Sequence, residues 1–152
     1  LKRVGVMPEE LTYTQDKFTF HVAADRTYNA AGVWAKVEGN RVTVGESDIF
    51  QQHNVDVAFV DVADVGTDVS CGDEFANIET IKVDIELPSP VNGTITAINE
   101  ALELEAELIN RDPYGAGWLA VFETSDWTSE RAALMTPEQY LEHIKTQAQA
   151  EA

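Results

Sequence analysis

Cysteine and positive charge are both scarce in this chain. Among its 152 residues there is one cysteine, Cys71, so no intrachain disulfide forms and no thiolate cluster exists for zinc or an iron–sulfur centre. Beside Gly72 in a loop, it reads as an inert thiol. Ten Lys and Arg stand against 27 Asp and Glu, a net charge of −17. A chain so negative repels phosphates, which argues against nucleic acid or an anionic membrane and leaves basic or neutral protein surfaces as partners. Acidity also keeps proteins soluble at high salt, so a saline habitat competes with partner choice as its cause. No apolar run approaches the roughly 20 residues of a membrane span, and the N-terminus lacks a signal peptide's apolar stretch. The expected location is the cytoplasm. Neither an internal repeat nor a low-complexity tract interrupts the chain, and its length and 44% hydrophobic content suit one packed core with short appendages.

The charge is local. Residues 47–110 hold fourteen carboxylates and a single base, Lys82, within Glu79-Thr80-Ile81-Lys82-Val83-Asp84. A lone lysine in so acidic a stretch, at what reads as a hairpin turn, looks like a point of cofactor attachment.

Periodicity predicts mostly strands. Val33–Val37 and Arg41–Val44 alternate around Glu38-Gly39-Asn40 and read as a hairpin. Asp48–Gln52 reads as a helical turn capped by Ser47. Val55–Asp61 alternates again, and Gly66 and Gly72 bracket a loop before a strand at Glu74–Glu79. Val83–Leu87 is followed by Pro88 and Pro90, with a second hairpin signal at Asn92-Gly93 before Thr94–Ile98. Asn99–Ile109 reads as a short helix packed on the barrel. Asp112-Pro113-Tyr114-Gly115 fits a type I turn, and Trp118–Phe122 a buried strand. Thr136-Pro137-Glu138-Gln139 is a capping box opening a helix to about Gln149. Upstream, Phe18–Val22 reads as an edge strand and Met7–Leu11 as a single turn. Many short strands with frequent turn signals favour a small barrel or sandwich.

From Tyr28 to Phe122 the sequence resembles the glycine cleavage system H proteins, small carriers of lipoic acid. Trp34, Val37-Glu38-Gly39 and Thr43–Asp48 are similar to family segments, the last to "TVGITD". Val65–Val69 and Gly72–Ala76 fit a loop and strand, and Glu79–Lys82 stands where the family has "ESVK". Pro90–Gly93 resembles "PVSG", Asn99–Leu102 matches "NEAL", and Glu107–Asn110 with Asp112–Gly115 and Gly117–Leu119 resembles "ELVN…DPYG.GWL". The resemblance implies a mainly β fold, the barrel-sandwich hybrid of lipoyl and biotinyl domains, with short peripheral helices and a C-terminal helix. It implies a carrier domain at 28–124, an N-terminal extension at 1–27 and a helical extension at 125–152. Lipoic acid would be amide-linked to Lys82, with Glu79, Thr80, Ile81, Val83, Asp84 and Glu86 as recognition residues around it.

Such a carrier has no catalytic residues. Its dithiolane supplies the chemistry, and the protein supplies reach and recognition. A swinging arm needs a rigid post, because reaction requires placement within about an ångström. The implied partners are a lipoate–protein ligase and a dihydrolipoamide dehydrogenase, served by a monomeric carrier.

The cargo is a separate question. Where H proteins read "SHEW", with a carboxylate that contacts the carried aminomethyl amine, this chain has Ala31-Gly32-Val33-Trp34. A half-buried ammonium without its carboxylate is costly. After the lysine, Val83-Asp84-Ile85-Glu86 replaces a pattern like "AASD". These departures resemble the H-protein-like lipoate-binding proteins of sulfur oxidisers, which work with a heterodisulfide-reductase-like complex. The expected function is therefore a lipoyl carrier of sulfur, with the glycine cleavage role as the alternative.

Other candidates carry less. His21, His53 and His143 lack ligand spacing, and Asp61, Asp64, Asp68 and Asp73 do not follow a calcium-binding loop, so no metal is expected. No Ser-His-Asp or Cys-His constellation suggests a stand-alone enzyme. A biotin carrier has Met-Lys-Met at its lysine, whereas Ile81 and Val83 flank Lys82.

Overall fold

A computed structural model describes residues 9–52, 55–124, 127 and 131–151. Three sheets are formed among them. Strands β1 (Glu10–Gln15) and β2 (Phe18–Ala23) make a separate antiparallel hairpin. The six-stranded sheet contains β3 (Thr27–Tyr28), β4 (Val33–Glu38), β5 (Arg41–Glu46), β7 (Asp68–Val69), β10 (Gly93–Ile98) and β11 (Ala120–Glu123), in the order β3-β4-β5-β11-β10-β7. The third has β6 (Val57–Val62), β8 (Glu74–Thr80) and β9 (Asp84–Pro88), with β8 central. Short helices α1 (Ile49–Gln52) and α2 (Leu108–Arg111), a 3₁₀ turn at Glu100–Glu103 and the C-terminal helix α3 (Pro137–Glu151) complete the chain. This is a barrel-sandwich hybrid. No described helix is long and apolar enough to cross a membrane.

Alternation explains the core. The rows Val60–Ile78–Ile85 and Val62–Ala76–Leu87 run across the three-stranded sheet and turn inward. They meet Val33, Ala35, Val42, Val44, Ile95 and Phe122 from the larger sheet, with Phe75 edge-on to Phe122 at 5.6 Å. Removing such area from water is the main stabilising term. A second cluster, of Phe20, Val22, Tyr28, Trp34, Tyr114, Tyr140 and Ile144, joins the β1–β2 hairpin and α3 to the opposite face of β4. Its centre is Trp34, whose indole N–H donates to the carbonyls of Glu46 and Pro113 at 3.1 Å while the Arg26 guanidinium stacks on the ring at 4.5 Å. Gly45 lies opposite Trp34, and a Cβ there would stand 2.5 Å from the ring.

Several expectations are corrected. Leu11, expected in a single turn, belongs to β1 and pairs with Val22, because Phe18–Ala23 needs a ladder partner; Met7 and Pro8 of that turn lie outside the described residues, as does His53. The Asn92-Gly93 hairpin does not form. β9 and β10 lie in different sheets, and the buried Ser89–Val91 segment carries the chain between them. There Asn92 Oδ1 accepts from the Cys71 N–H at 2.7 Å. The expected helix over 99–109 is broken: Asn99 caps the 3₁₀ turn, Leu104 is 91% exposed, and α2 starts only at Leu108. Glutamates at 100 and 103, and at 103 and 107, would repel along a continuous helix. The capping box is present, with Thr136 N–H donating to Gln139 Oε1 and Gln139 N–H to Thr136 Oγ1.

Candidate functional site

The β8–β9 ladder ends at Glu79 opposite Asp84, leaving Thr80, Ile81, Lys82 and Val83 as the tip. Thr80 N–H donates to the Val83 carbonyl at 2.9 Å and closes the turn. The Thr80 hydroxyl accepts from Lys82 N–H at 3.2 Å and from Val83 N–H at 3.0 Å, and donates to the Val83 carbonyl at 3.0 Å. Lys82 is exposed and makes no ion pair among the described residues. Its ammonium is open to another protein, which suits amide formation.

The two legs of the hairpin hold the remaining candidates. Glu79 and Asp84 pair across the strands, and Glu86 pairs with Asn77. On the neighbouring strand the same rows continue to Phe59 and Asp61. The outer face of this sheet therefore carries two rows, Phe59–Glu79–Asp84 and Asp61–Asn77–Glu86, with Phe59 exposed at 52%. Ile81 and Val83, at 78% and 54% exposure, flank the lysine without packing. The residues expected around Lys82 are thus brought together on one hairpin. Phe59 was not among the expected site residues, because the bulge between Val57 and Phe59 shifts it outward.

Glu46 was also missed. It sits opposite Val33 in the β4–β5 register and is 2% exposed. Its Oε1 accepts from Ser47 N–H at 2.9 Å and from the Ser47 hydroxyl at 3.4 Å, and that hydroxyl meets Tyr140 Oη at 2.8 Å. Burial pushes its carboxyl up to about 8, partly countered by the two Ser47 hydrogen bonds. Tyr140 is raised by its own burial and by the nearby Glu46. Gly32 has φ +86° over this group, and a Cβ there would lie 2.6 Å from both Glu46 Oε1 and Tyr140 Oη. A sequence signal existed: 42, 44 and 46 share the inward phase of β5, so an acid at 46 interrupts an apolar row.

The other candidates fall elsewhere. His21 Nδ1 lies 3.1 Å from Glu10 Oε1, and His143 Nε2 lies 3.2 Å from the Ala30 carbonyl. No group of three metal-ligating side chains occurs among the described residues.

The sequence profile described as Glycine cleavage H-protein matches residues 26–147. The chain belongs to this family. The glycine cleavage system H protein of Rubrobacter xylanophilus is 38% identical over 124 residues, spanning 82% of this chain and 95% of that protein. Glycine cleavage system H protein 4 of Aquifex aeolicus is 39% identical over 133 residues, 88% of this chain and 75% of that protein. The crystal structure of a glycine cleavage system H protein from Mycobacterium marinum superposes with a TM-score of 0.70 at 28% identity, covering 80% of this chain and 98% of that one. H proteins of this family are lipoyl carriers, not catalysts, with lipoic acid covalently attached to a lysine. The match runs from β3 into α3.

Proposed function

We propose that this protein is an H protein of glycine cleavage, with Lys82 as the lipoylated residue and an aminomethyl group as the cargo. The observation that carries the site is the clamped tip of the β8–β9 hairpin, where Lys82 is exposed and its side chain makes no ion pair among the described residues, while the legs at Glu79 and Asp84 are tied into the sheet. When attached, the dithiolane supplies a disulfide that opens to accept cargo and closes again on oxidation. Everything else is positioning: Thr80 shapes the turn, β8 and β9 hold it away from the barrel, and Glu79, Asp84 and Glu86 mark it for basic partner surfaces. A lipoate–protein ligase and a dihydrolipoamide dehydrogenase are the partners this chemistry needs, in the cytoplasm, with the carrier acting as a monomer. The carrier domain is 28–124, and the described parts of residues 1–27 and 125–152 buttress it through the second core.

A second reading has the arm carry sulfur, in exchange with a heterodisulfide-reductase-like complex. One observation favours it: Val33 is fully buried where the resemblance places a carboxylate. The relatives weigh the other way, since the proteins of Rubrobacter xylanophilus and Aquifex aeolicus that this chain resembles along most of its length are both named as glycine cleavage system H proteins.

Incubation with lipoate, ATP and a lipoate–protein ligase should add one lipoyl group by intact mass, and Lys82→Arg should abolish the gain without changing the melting temperature. A lipoylated Lys82→Arg variant would refute the site. Glycine-dependent turnover of the loaded protein with glycine decarboxylase and aminomethyltransferase tests the cargo; no turnover would promote the sulfur reading.

A further inference from the structure

We infer that Thr80 is the positioning residue of the Lys82 turn, its hydroxyl fastening the tip into the one geometry in which the amine is offered for acylation. The inference rests on Lys82 being the acylated residue.

Among the described residues, no side chain other than that of Thr80 hydrogen-bonds to this turn. It contains no glycine or proline, and none of its residues has positive φ. Ile81, Lys82 and Val83 are all exposed, so packing does not define their conformation. The β8–β9 ladder has already ended at Glu79 and Asp84, and β6 reaches only as far as Thr80, opposite Val57. What remains is Thr80: its backbone N–H reaches the Val83 carbonyl, and its hydroxyl binds Lys82 N–H, Val83 N–H and the Val83 carbonyl. Serine and threonine hydroxyls organise turns in this way, by offering the backbone a local partner. The β-branched carbon adds stiffness at χ1, which holds the hydroxyl over the turn.

Valine keeps threonine's shape and stiffness and removes only the hydroxyl. Losing three backbone partners lowers the population of the fastened tip about tenfold, since each such hydrogen bond adds modestly to stability. An enzyme that accepts only the fastened form then needs about tenfold more carrier to half-saturate, whereas kcat on the bound form is unchanged.

The full unmodified chain is compared as wild type, Thr80→Val, Thr80→Ser and Lys82→Arg. Two readouts are taken: initial acylation rate against carrier concentration, with lipoate, ATP and a lipoate–protein ligase, and native-state trypsin cleavage after Lys82 relative to cleavage after the half-buried Lys36 of β4. For Thr80→Val we expect KM raised about tenfold at constant kcat and faster cleavage at Lys82 alone, with Thr80→Ser close to wild type in both. A fall in kcat with unchanged cleavage would make the hydroxyl an enzyme contact and overturn the positioning role. Equal acceleration at Lys36 would mean general loosening, and wild-type behaviour of Thr80→Val would mean the hydroxyl is idle; either outcome also overturns it. Acylation of Lys82→Arg would instead sink the site assignment itself, a result distinguishable from all of these.

Discussion

Replacing Glu46 by glutamine removes a buried proton equilibrium while keeping the side chain's shape. In the unfolded chain a glutamate titrates near 4.5, and in this fold burial pushes Glu46 up to about 8. Between those values the folded state holds a proton that the unfolded state has released. Stability from this group is therefore fully present below about pH 4.5, falls as pH rises through the interval, and levels off above about 8. Each pH step is worth about 1.4 kcal/mol, so the loss reaches about 3 kcal/mol at pH 7 and about 4–5 kcal/mol by pH 8. Of its neighbours, Tyr140 and Tyr28 have raised pKa values and stay neutral over this range, and Ser47 does not titrate. Glutamine cannot titrate either, so the Glu46→Gln advantage over wild type should grow by about 3 kcal/mol between about pH 4.5 and 7. Urea unfolding followed by tryptophan fluorescence, run on both proteins across that range, measures the difference. The fit of the amide shifts both ends equally and cancels from the slope. A difference independent of pH would refute the assignment of Glu46 as a protonated, buried acid.

Two further changes probe the packing. Gly45→Ala places a methyl about 2.5 Å from a Trp34 ring held by two hydrogen bonds and the Arg26 stack; a loss of about 2–3 kcal/mol is expected, seen as a melting temperature lower by roughly 5–10 °C, and an unchanged value would contradict the close approach. Asn110→Ala deletes the amide that accepts from Val57 N–H at 2.9 Å and donates to the Val55 carbonyl at 2.8 Å; denaturant unfolding should show a loss of about 2–3 kcal/mol, because a buried donor is left unpaired.

What the letters reveal depends on the range of the interaction. The β4–β5 hairpin is legible because alternation and Gly39-Asn40 are local signals, and the Thr136 capping box lies within one turn. Lys82 stands out by the scarcity of cations around it, and the family resemblance gives it a role. The clamp formed by Thr80 is harder to read, since a threonine at that position has many uses until the turn closes. Non-local facts are absent from the pattern altogether. Asn92-Gly93 looks like a two-residue turn, yet the strands on either side belong to different sheets. Leu104 looks like part of an apolar stripe, yet it faces water where the helix breaks. Glu46 occupies an inward position of β5, and among the described residues it is hydrogen-bonded by Ser47, whose hydroxyl is in turn bonded to Tyr140, 93 residues further along the chain.

Both legs of the lysine hairpin are rooted in side chains that belong to everyone: Phe75 and Ile78 from one leg and Leu87 from the other sit at the heart of the molecule. A synthetic peptide copying residues 74–88 would therefore lose its shape, and transplanting the loop onto an unrelated host would carry the letters without the stance. The handle and the body it projects from are one object, inherited together or not at all.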